Sequence, residues 1–403
     1  MYWPRVAQII FWLLAAFVVY TYAGYPLLLA LLARIRPRAI RGAGAPLPAA
    51  SIILAVHNEQ AHIERRLREL IESVSRLSGQ GEIIVVSDGS VDATVAIARR
   101  VGADAPMGMV RVIELKNNAG KAQALARGCA EARHGILVLA DARQRWANDA
   151  LSCLLGNFAD ASIGGVSGDL VLENADGAIA GVGLYWRYEK WLRLTESRVH
   201  SCVGATGSIS AVRRELFCPP PAGLVLDDVY WPLKVVMAGR RVVHDQRAIA
   251  YDRLPDGSRH EFRRKVRTLA GNFQLMQRLP RVLLPWHNPL WAQFLSHKAF
   301  RLVVPWALLG MLACSLLAPG AFYQGLFVVQ VACYVMAAGA LRWSKAAKWS
   351  MASSAASILL LNTAAWCAFW VWISGGTARS WTKAKYSSAG PTPPEAASLN
   401  GIP

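Results

Sequence analysis

Side chains able to move a proton or balance an anionic charge follow directly on apolar runs in this chain. His57, Asn58 and Glu59 stand at the end of SIILAVH (51–57), Asp88 follows EIIVVS (82–87), and Asp141 ends GILVLAD (135–141). Lys121 opens the segment GKAQALARGCAEA, and Asp227 and Asp228 open the helical segment that continues as VYWPLKVVMAG. A carboxylate within hydrogen-bond reach of a hydroxyl can take its proton, and cations can stabilise a departing anion. Taken singly, each signal also has a plain structural reading. Asp-Gly after a strand is a common turn, Asp141 suits a strand-end turn, and Lys121 suits the solvated start of a helix. Successive helical residues point about 100° apart, so one of Asp227 and Asp228 is expected to face a cleft. The other then serves the positive end of the helix dipole, and residue physics alone does not choose between them.

Periodicity names the elements that must hold these groups. The run 51–57 reads as a buried strand. The next segment places Ile63, Leu67, Leu70, Ile71, Val74 and Leu77 on one face at helical spacing, with Asn58 as the expected cap of its opening turn. EIIVVS, RVIEL (111–115) and GILVLAD read as further strands, separated by the helical segments VDATVAIARRV and GKAQALARGCAEA. This alternation predicts an α/β domain whose sheet is mostly parallel, with helices on both faces. Ligands of such sheets sit beyond the carboxyl ends of the strands, where the polar residues lie. Past residue 150 the pattern loosens into mixed structure.

The chain has 403 residues, enough for one sizeable domain and extra elements. Residues 9–33 carry no charge, and apolar stretches recur near 302–318, 321–341 and 351–375. About 20 apolar residues cross a bilayer, and the first run is too long for a cleaved signal peptide. Arg34, Arg36, Arg38 and Arg41 follow that run, which predicts a cytoplasmic central domain. The formal charge of +18 gathers beside the apolar segments. It suits anionic lipid and a diphosphate substrate, and no nucleic-acid reading module is visible. Segment 258–281 holds seven cations and one acid. With Trp291, Phe294 and Phe300 set among Lys298 and Arg301, it fits either a helix along the membrane surface or a packing helix before a span. A full last span would put Arg379, Lys383 and Lys385 outside, against the positive-inside tendency, so a re-entrant or interfacial last segment is the competing arrangement. Expected domains are a membrane anchor (1–47), a catalytic domain (48–284), an interfacial helix with membrane segments (285–385) and a disordered tail (386–403). The seven cysteines lack zinc spacing and fit a reducing compartment.

In order, VHNEQAHI, IIVVSDGSVDAT, NNAGKAQAL, LVLADAR, VGATGSISAVRREL, LDDVYWPLKV and RRKVRTLAGNFQ resemble the family-2 glycosyltransferases, in particular the membrane-embedded branch with cellulose, hyaluronan and chitin-oligosaccharide synthases. The resemblance covers about 48–280 and implies a GT-A fold, a nucleotide-sugar donor (usually a UDP-sugar), a divalent magnesium or manganese ion and inversion at the anomeric carbon. It implies donor contacts from Ala55, His57, Glu59, Asp88, Lys121, Asp141 and Arg267. It also implies a loop facing donor and acceptor at Gly204, Ala205, Thr206, Gly207 and Ser208, a metal at Asp141, and Asp228 as the base. Implied partners are a saccharide or lipid-linked acceptor, membrane lipids and other polysaccharide-assembly proteins.

Two motifs depart from the family pattern. The D-x-D motif reads Asp141-Ala142-Arg143, so a cation replaces the second acid. One carboxylate plus diphosphate oxygens can still hold a hard ion, and Arg143 can instead pair with phosphate directly. The Q-x-x-R-W motif of processive synthases reads Arg264-Lys265-Val266-Arg267-Thr268, which keeps the arginine and lacks the aromatic platform. The leading expectation is a transferase building a poly- or oligosaccharide. The alternatives are a single addition to a lipid-linked acceptor and a catalytically inactive scaffold that recruits a partner synthase.

Overall fold

Ile52, Leu54 and Val56 of β1 (Ala50–Val56) pack into one apolar cluster and Ile53 into another, and all four are buried. A strand buried on both sides needs helices on both sides, and the chain supplies them. The computed structural model describes residues 3–42, 44–77, 81–173, 180–253, 258–342 and 350–376. The expected disordered tail, 386–403, lies outside the described residues, as do Lys345, Lys348, Arg379, Lys383 and Lys385.

β1, β2 (Gly81–Asp88), β3 (Val110–Leu115) and β4 (Ile136–Ala140) pair in parallel in the order β3-β2-β1-β4. The chain first builds outward from β1 and then crosses back to its other side, leaving a switch point between β1 and β4. The sheet of eight strands continues through β7 (Ile209–Arg213), β6 (Ile163–Glu173), β8 (Arg241–Arg253) and β5 (Arg145–Trp146). β7 runs antiparallel to β4 and β6, and β5 to β8, while β6 and β8 are parallel. One face carries α3 (Ile63–Ser75), α4 (Thr94–Ala103) and α6 (Ala150–Gly156), the other α5 (Lys121–Glu131) and α8 (Asp227–Met237). The expected mostly parallel sheet with helices on both faces is therefore present. The four expected strands match β1 to β4 with ends shifted by one residue.

The stripe Ile63, Leu67, Leu70 and Val74 is buried against the sheet, with Ile71 and Leu77 packed at its edge. The capping role expected of Asn58 is not observed. The connection after β1 runs to His62 before the helix begins, and no side chain caps it. Asn58 instead adopts φ +50, which asparagine tolerates, and its Oδ1 accepts a hydrogen bond from Val91 N at 2.9 Å. It ties the loop after β1 to the loop after β2.

Among the described residues four helical rods are long and apolar enough to cross a membrane: Arg5–Ile35, Trp291–Leu317, Ala321–Ala340 and Ala355–Ile373. The first joins α1 (Trp3–Val19) to α2 (Tyr25–Ile35) through a π turn at Tyr20–Gly24. The second joins α10 (Trp291–Phe294) to α11 (Phe300–Leu317) through a π turn at Leu295–Ala299. The two π turns sit side by side, with Tyr20 Oη 2.9 Å from Ser296 Oγ and the Phe17 and Tyr20 rings on Phe300. Trp291, Phe294 and Phe300 thus belong to one rod, and Phe294 is buried in the cluster that also holds α8. α7 (Ala180–Val199) packs against α2 through Leu192, Tyr25 and Leu29. α12 (Ala321–Arg342) precedes α13 (Ser350–Ile373), and the basic α9 (Ser258–Arg278) packs on α13 by stacking Phe273 on Trp372, their centroids 5.3 Å apart.

α5 approaches the sheet closely because Gly128 has no side chain. A Cβ there would meet Ile53 Cγ2 at 2.6 Å and Val86 Cγ2 at 3.0 Å. Gly128→Val should therefore lower the stability of the domain by about 1–3 kcal/mol through overpacking, read as a lower thermal unfolding midpoint.

Candidate functional site

The parallel registers align the strand ends. Val56 pairs with Ser87, and Leu54 with Ala140, so His57, Asp88 and Asp141 emerge along one edge of the sheet at the switch point. His57 Nδ1–H donates to the Asp88 carbonyl oxygen at 2.7 Å, which leaves Nε2 facing Asn58 Nδ2 at 3.3 Å as an acceptor. Asp88 Oδ1 accepts from Ala119 N at 2.7 Å and Oδ2 from Gly120 N at 2.8 Å. The next residue is Lys121, so Asp88 fixes the entry of α5. Gly89 makes this possible: at φ +62, a Cβ would lie 2.6 Å from the Asn117 and Asn118 backbone. The Asp-Gly turn is thus the contact surface for the segment that presents the lysine.

Lys121 Nζ donates to Asp141 Oδ1 at 2.8 Å and lies 3.8 Å from Asp227 Oδ2. A Cβ on Gly207 would stand 3.8 Å from Lys121 Nζ and 3.9 Å from Asp228 Oδ2. Both acids at the start of α8 therefore reach the neighbourhood of the lysine, contrary to the expectation that one would turn away. The first turn of α8 lies across the edge of the site, so residues about 100° apart flank the ammonium from two sides. Burial works to lower the Lys121 pKa, and the surrounding Asp141 and Asp227 more than offset it, so it is raised. Burial and the neighbouring Asp227 push the Asp228 carboxyl up to about 6, against the pull of Lys121 and Arg193.

The loop 204–208 closes over this group. Ala205 N donates to the Asp228 carbonyl oxygen at 2.7 Å, and Gly204 leaves no room beside Val229 for a larger residue without adjustment. Thr206 N donates to Ser167 Oγ at 2.9 Å, and Thr206 Oγ1 accepts from Arg193 Nη1 at 3.1 Å. The Ser208 carbonyl accepts from Trp146 Nε1 at 3.1 Å. Arg267 on α9 is within electrostatic reach of Asp227 and Asp228; burial lowers its pKa and those acids act to raise it.

Asp88, Lys121, Asp141, Asp228 and Gly207 converge, with Arg267 nearby. Ala55 is half-buried on β1 beside Val86 and packs against the cluster containing α5. The Glu59 carboxylate lies 2.9 Å from His62 Nδ1, and the Arg143 carbonyl accepts from Arg65 Nη2 at 2.7 Å. Arg66 went unrecognised in the sequence. It is fully buried, lies over the Trp146 ring at 4.3 Å, and donates to the Asp141 carbonyl at 3.0 Å and to Glu69 at 2.8 Å. Burial lowers its pKa to about 10. Its signal was its spacing: position 66 falls inside the apolar stripe of 63, 67 and 70, where an arginine needs partners. Arg193 was also missed, and nothing local to α7 announces it.

Among the described residues no group of three or more His, Cys, Asp or Glu is poised to hold a metal. The nearest set is Asp141, with Asp227 across Lys121. The Lys121 ammonium stands between these two carboxylates, so a hard divalent ion at Asp141 would take one protein carboxylate and fill its other positions with substrate phosphates and water.

The family model described as Glycosyl transferase family 2 matches residues 51–218. This domain belongs to glycosyl transferase family 2. Residues 51–218 include β1 to β4 and the loop 204–208. The chain is similar to dolichyl-phosphate beta-glucosyltransferase of Drosophila melanogaster, 37% identical over 97 residues, which are 23% of this chain and 30% of that protein. It is also similar to poly-beta-1,6-N-acetyl-D-glucosamine synthase of Staphylococcus aureus, 23% identical over 240 residues, 57% of this chain and 55% of the relative. The matches thus span about a third to a half of these curated relatives. Among solved structures, mannosyltransferase PcManGT from Pyrobaculum calidifontis, in complex with GDP-Man and Mn2+, superposes with a TM-score of 0.66 at 22% identity, covering 90% of this chain and 99% of that one. The fold of the chain is accordingly GT-A-like, with added apolar helices at its N-terminus and C-terminal region.

Lys121→Met should destabilise the protein more at pH 8 than at pH 5. Asp228, whose carboxyl is pushed up to about 6, is charged beside its acidic neighbours at pH 8 without the shared cation, and its protonation relieves that repulsion at pH 5. Equal losses of thermal midpoint at the two pH values would contradict this.

Proposed function

We propose that the chain is an inverting membrane glycosyltransferase that moves a sugar from a nucleotide-sugar donor, a UDP-sugar first among candidates, onto a growing poly- or oligosaccharide. The observation that carries this reading is the convergence of Asp141, Asp227 and Asp228 around Lys121 at the switch edge of the family-2 domain. The donor's diphosphate needs its charge neutralised as it leaves, and Lys121, Arg143 and Arg267 are the side chains assigned to that. A divalent ion on Asp141 would add Lewis-acid stabilisation of the same charge. Asp228 is assigned the acceptor proton: its raised carboxyl sits in the range useful to a general base. Family membership and the neighbour solved with GDP-Man and Mn2+ support the nucleotide-sugar class. The arginines after the first rod support a cytoplasmic site, and the length and apolar character of the rods support a membrane-embedded chain.

A second reading, single addition to a lipid-linked acceptor, is favoured by Thr268 standing where processive synthases carry tryptophan and by the similarity to a dolichyl-phosphate glucosyltransferase. Incubating purified full-length enzyme with a panel of labelled nucleotide sugars and membrane extract tests both readings. A product ladder supports polymerisation, one added sugar supports single addition, and no transfer with any donor leaves the scaffold reading.

Transfer should fall as pH drops below about 6, because Asp228 must be ionised to act as base. Asp228→Asn should abolish transfer. Because the native carboxyl is raised above its ordinary value, its ionisation costs stability above about pH 6 and costs none at low pH. Asp228→Asn should therefore unfold at a higher temperature than the parent at pH 8, with the gain fading toward pH 4. Arg143→Ala should make transfer more dependent on added Mn2+, measured as a rightward shift of the metal titration; an unchanged titration would remove Arg143 from the diphosphate's neighbourhood.

A further inference from the structure

A second cluster of charged groups lies apart from Lys121, where the membrane rods meet the catalytic domain. Glu196, on α7, is fully buried. Its Oε1 accepts from Tyr25 Oη at 2.8 Å and faces His297 Nδ1 at 2.7 Å. His297 Nε2 faces Glu189 Oε2 at 3.1 Å, and Glu189 Oε1 is paired with Arg301. Arg301 also donates to the Tyr185 and Tyr188 hydroxyls at 3.3 Å each. Tyr25 belongs to the first apolar rod, and His297 and Arg301 to the second. Two rods are thus bolted to one helix of the soluble domain by a chain of buried charges.

That chain continues into the sugar site. Glu196 Oε2 accepts from Val203 N at 3.4 Å, and Gln293 of the same rod donates to the Ser201 carbonyl at 3.2 Å. Immediately beyond, Ala205 N binds the Asp228 carbonyl and Arg193, one turn before Glu196 on α7, binds Thr206. The loop that lies over Asp228 is therefore held from one side by the site and from the other by the rod. Cys202 N adds a backbone bond to Val242 of β8, which fixes the loop's root to the sheet. The π turn at Leu295–Ala299 contains the histidine itself, a feature common where helices serve a site.

We infer that His297 and Glu196 are positioning residues: the rod Trp291–Leu317 holds the loop 203–208 in place over Asp228, so the membrane segment is part of the catalytic geometry as well as its tether. This rests on the proposed transferase reading for what the loop does, and on the hydrogen bonds alone for how it is held. Buried polar networks are high-stakes: satisfied they specify one geometry, and broken they leave an uncompensated charge. Relaxing Glu196 frees Val203 N, and the loop loses its membrane-side restraint.

Hydrogen–deuterium exchange of the full chain in lipid nanodiscs tests this with no substrate present. In His297→Gln, amides of 203–206 should exchange about tenfold faster, while peptides from β1, β2 and β4 keep their parental rates. With whichever donor of the panel supports transfer, kcat should fall about tenfold while the donor KM stays within about twofold, as expected for a displaced loop over an intact donor site. If His297→Gln does not assemble, Tyr25→Phe, which deletes one hydrogen bond to Glu196, should raise exchange in the same amides by about threefold. Unchanged loop exchange in the folded variant overturns the inference. A parent chain without transfer would sink the transferase reading alone, since the exchange result does not depend on turnover.

Discussion

The ammonium of Lys121 balances acids that the chain delivers from well-separated places, Asp141 after β4 and the Asp227–Asp228 pair at the head of α8. Close-set carboxylates cannot all stay ionised without a cation among them, so the site depends on where that one nitrogen is held. Its position is set by Asp88, whose two carboxylate oxygens grip the amides just before it, and by Gly89, which lets those amides come near. The same acid that the family pattern associates with the nucleotide is thus also a structural clamp, and a carboxylate with several lone-pair sites can serve both. Asp228 is left as the acid whose burial outweighs its cations, which is the condition a base near neutral pH requires.

The parallel half of the sheet was legible because its strands are short apolar runs separated by helices of unmistakable period. Ile52, Ile53 and Leu54 are all buried, and a run without alternation can only be an interior strand or an interior helix, which its length of seven residues decides. The antiparallel half was not legible. β5 is two residues long, β6 meets β7 over only Gly165–Ser167, and its parallel pairing with β8 shifts register near Ile163 and Ser167. Such pairing is set by tertiary contact, which leaves no period to read. Asn58 shows the same limit at a single residue: as an expected cap it satisfied every local rule, yet its side chain is spent on Val91, which the sequence does not mark as a neighbour.

Within the site, acids at strand ends could be found from position alone, whereas their supports could not. Arg66 lies on an apolar face and can be suspected from that misfit. Arg193, Glu196 and His297 cannot, because the partners of Glu196 lie on other membrane and loop segments, His297 being 101 residues away. Each looks locally like an ordinary polar residue near a basic span. Their burial turns them from solvated charges into a connected network, and burial is a property of the assembled protein.

The two departures from the family pattern fit together when read against this geometry. With Arg143 in place of a second acid, the negative charge available to a metal near Asp141 is reduced, and Asp141 already shares one oxygen with Lys121. In the proposed transfer reaction, a site so arranged would shift the neutralisation of a diphosphate toward fixed cations, Lys121 and Arg267 among them, and away from a tightly caged ion. Fixed cations act without reorganisation only if their carriers are rigid. Arg267 is carried by α9, which stacks on α13 through Phe273 and Trp372, and Lys121 by α5, which is clamped at the two residues just before it. The apolar helix α13 and the sheet edge therefore each supply one of the rigid supports that such a charge arrangement demands.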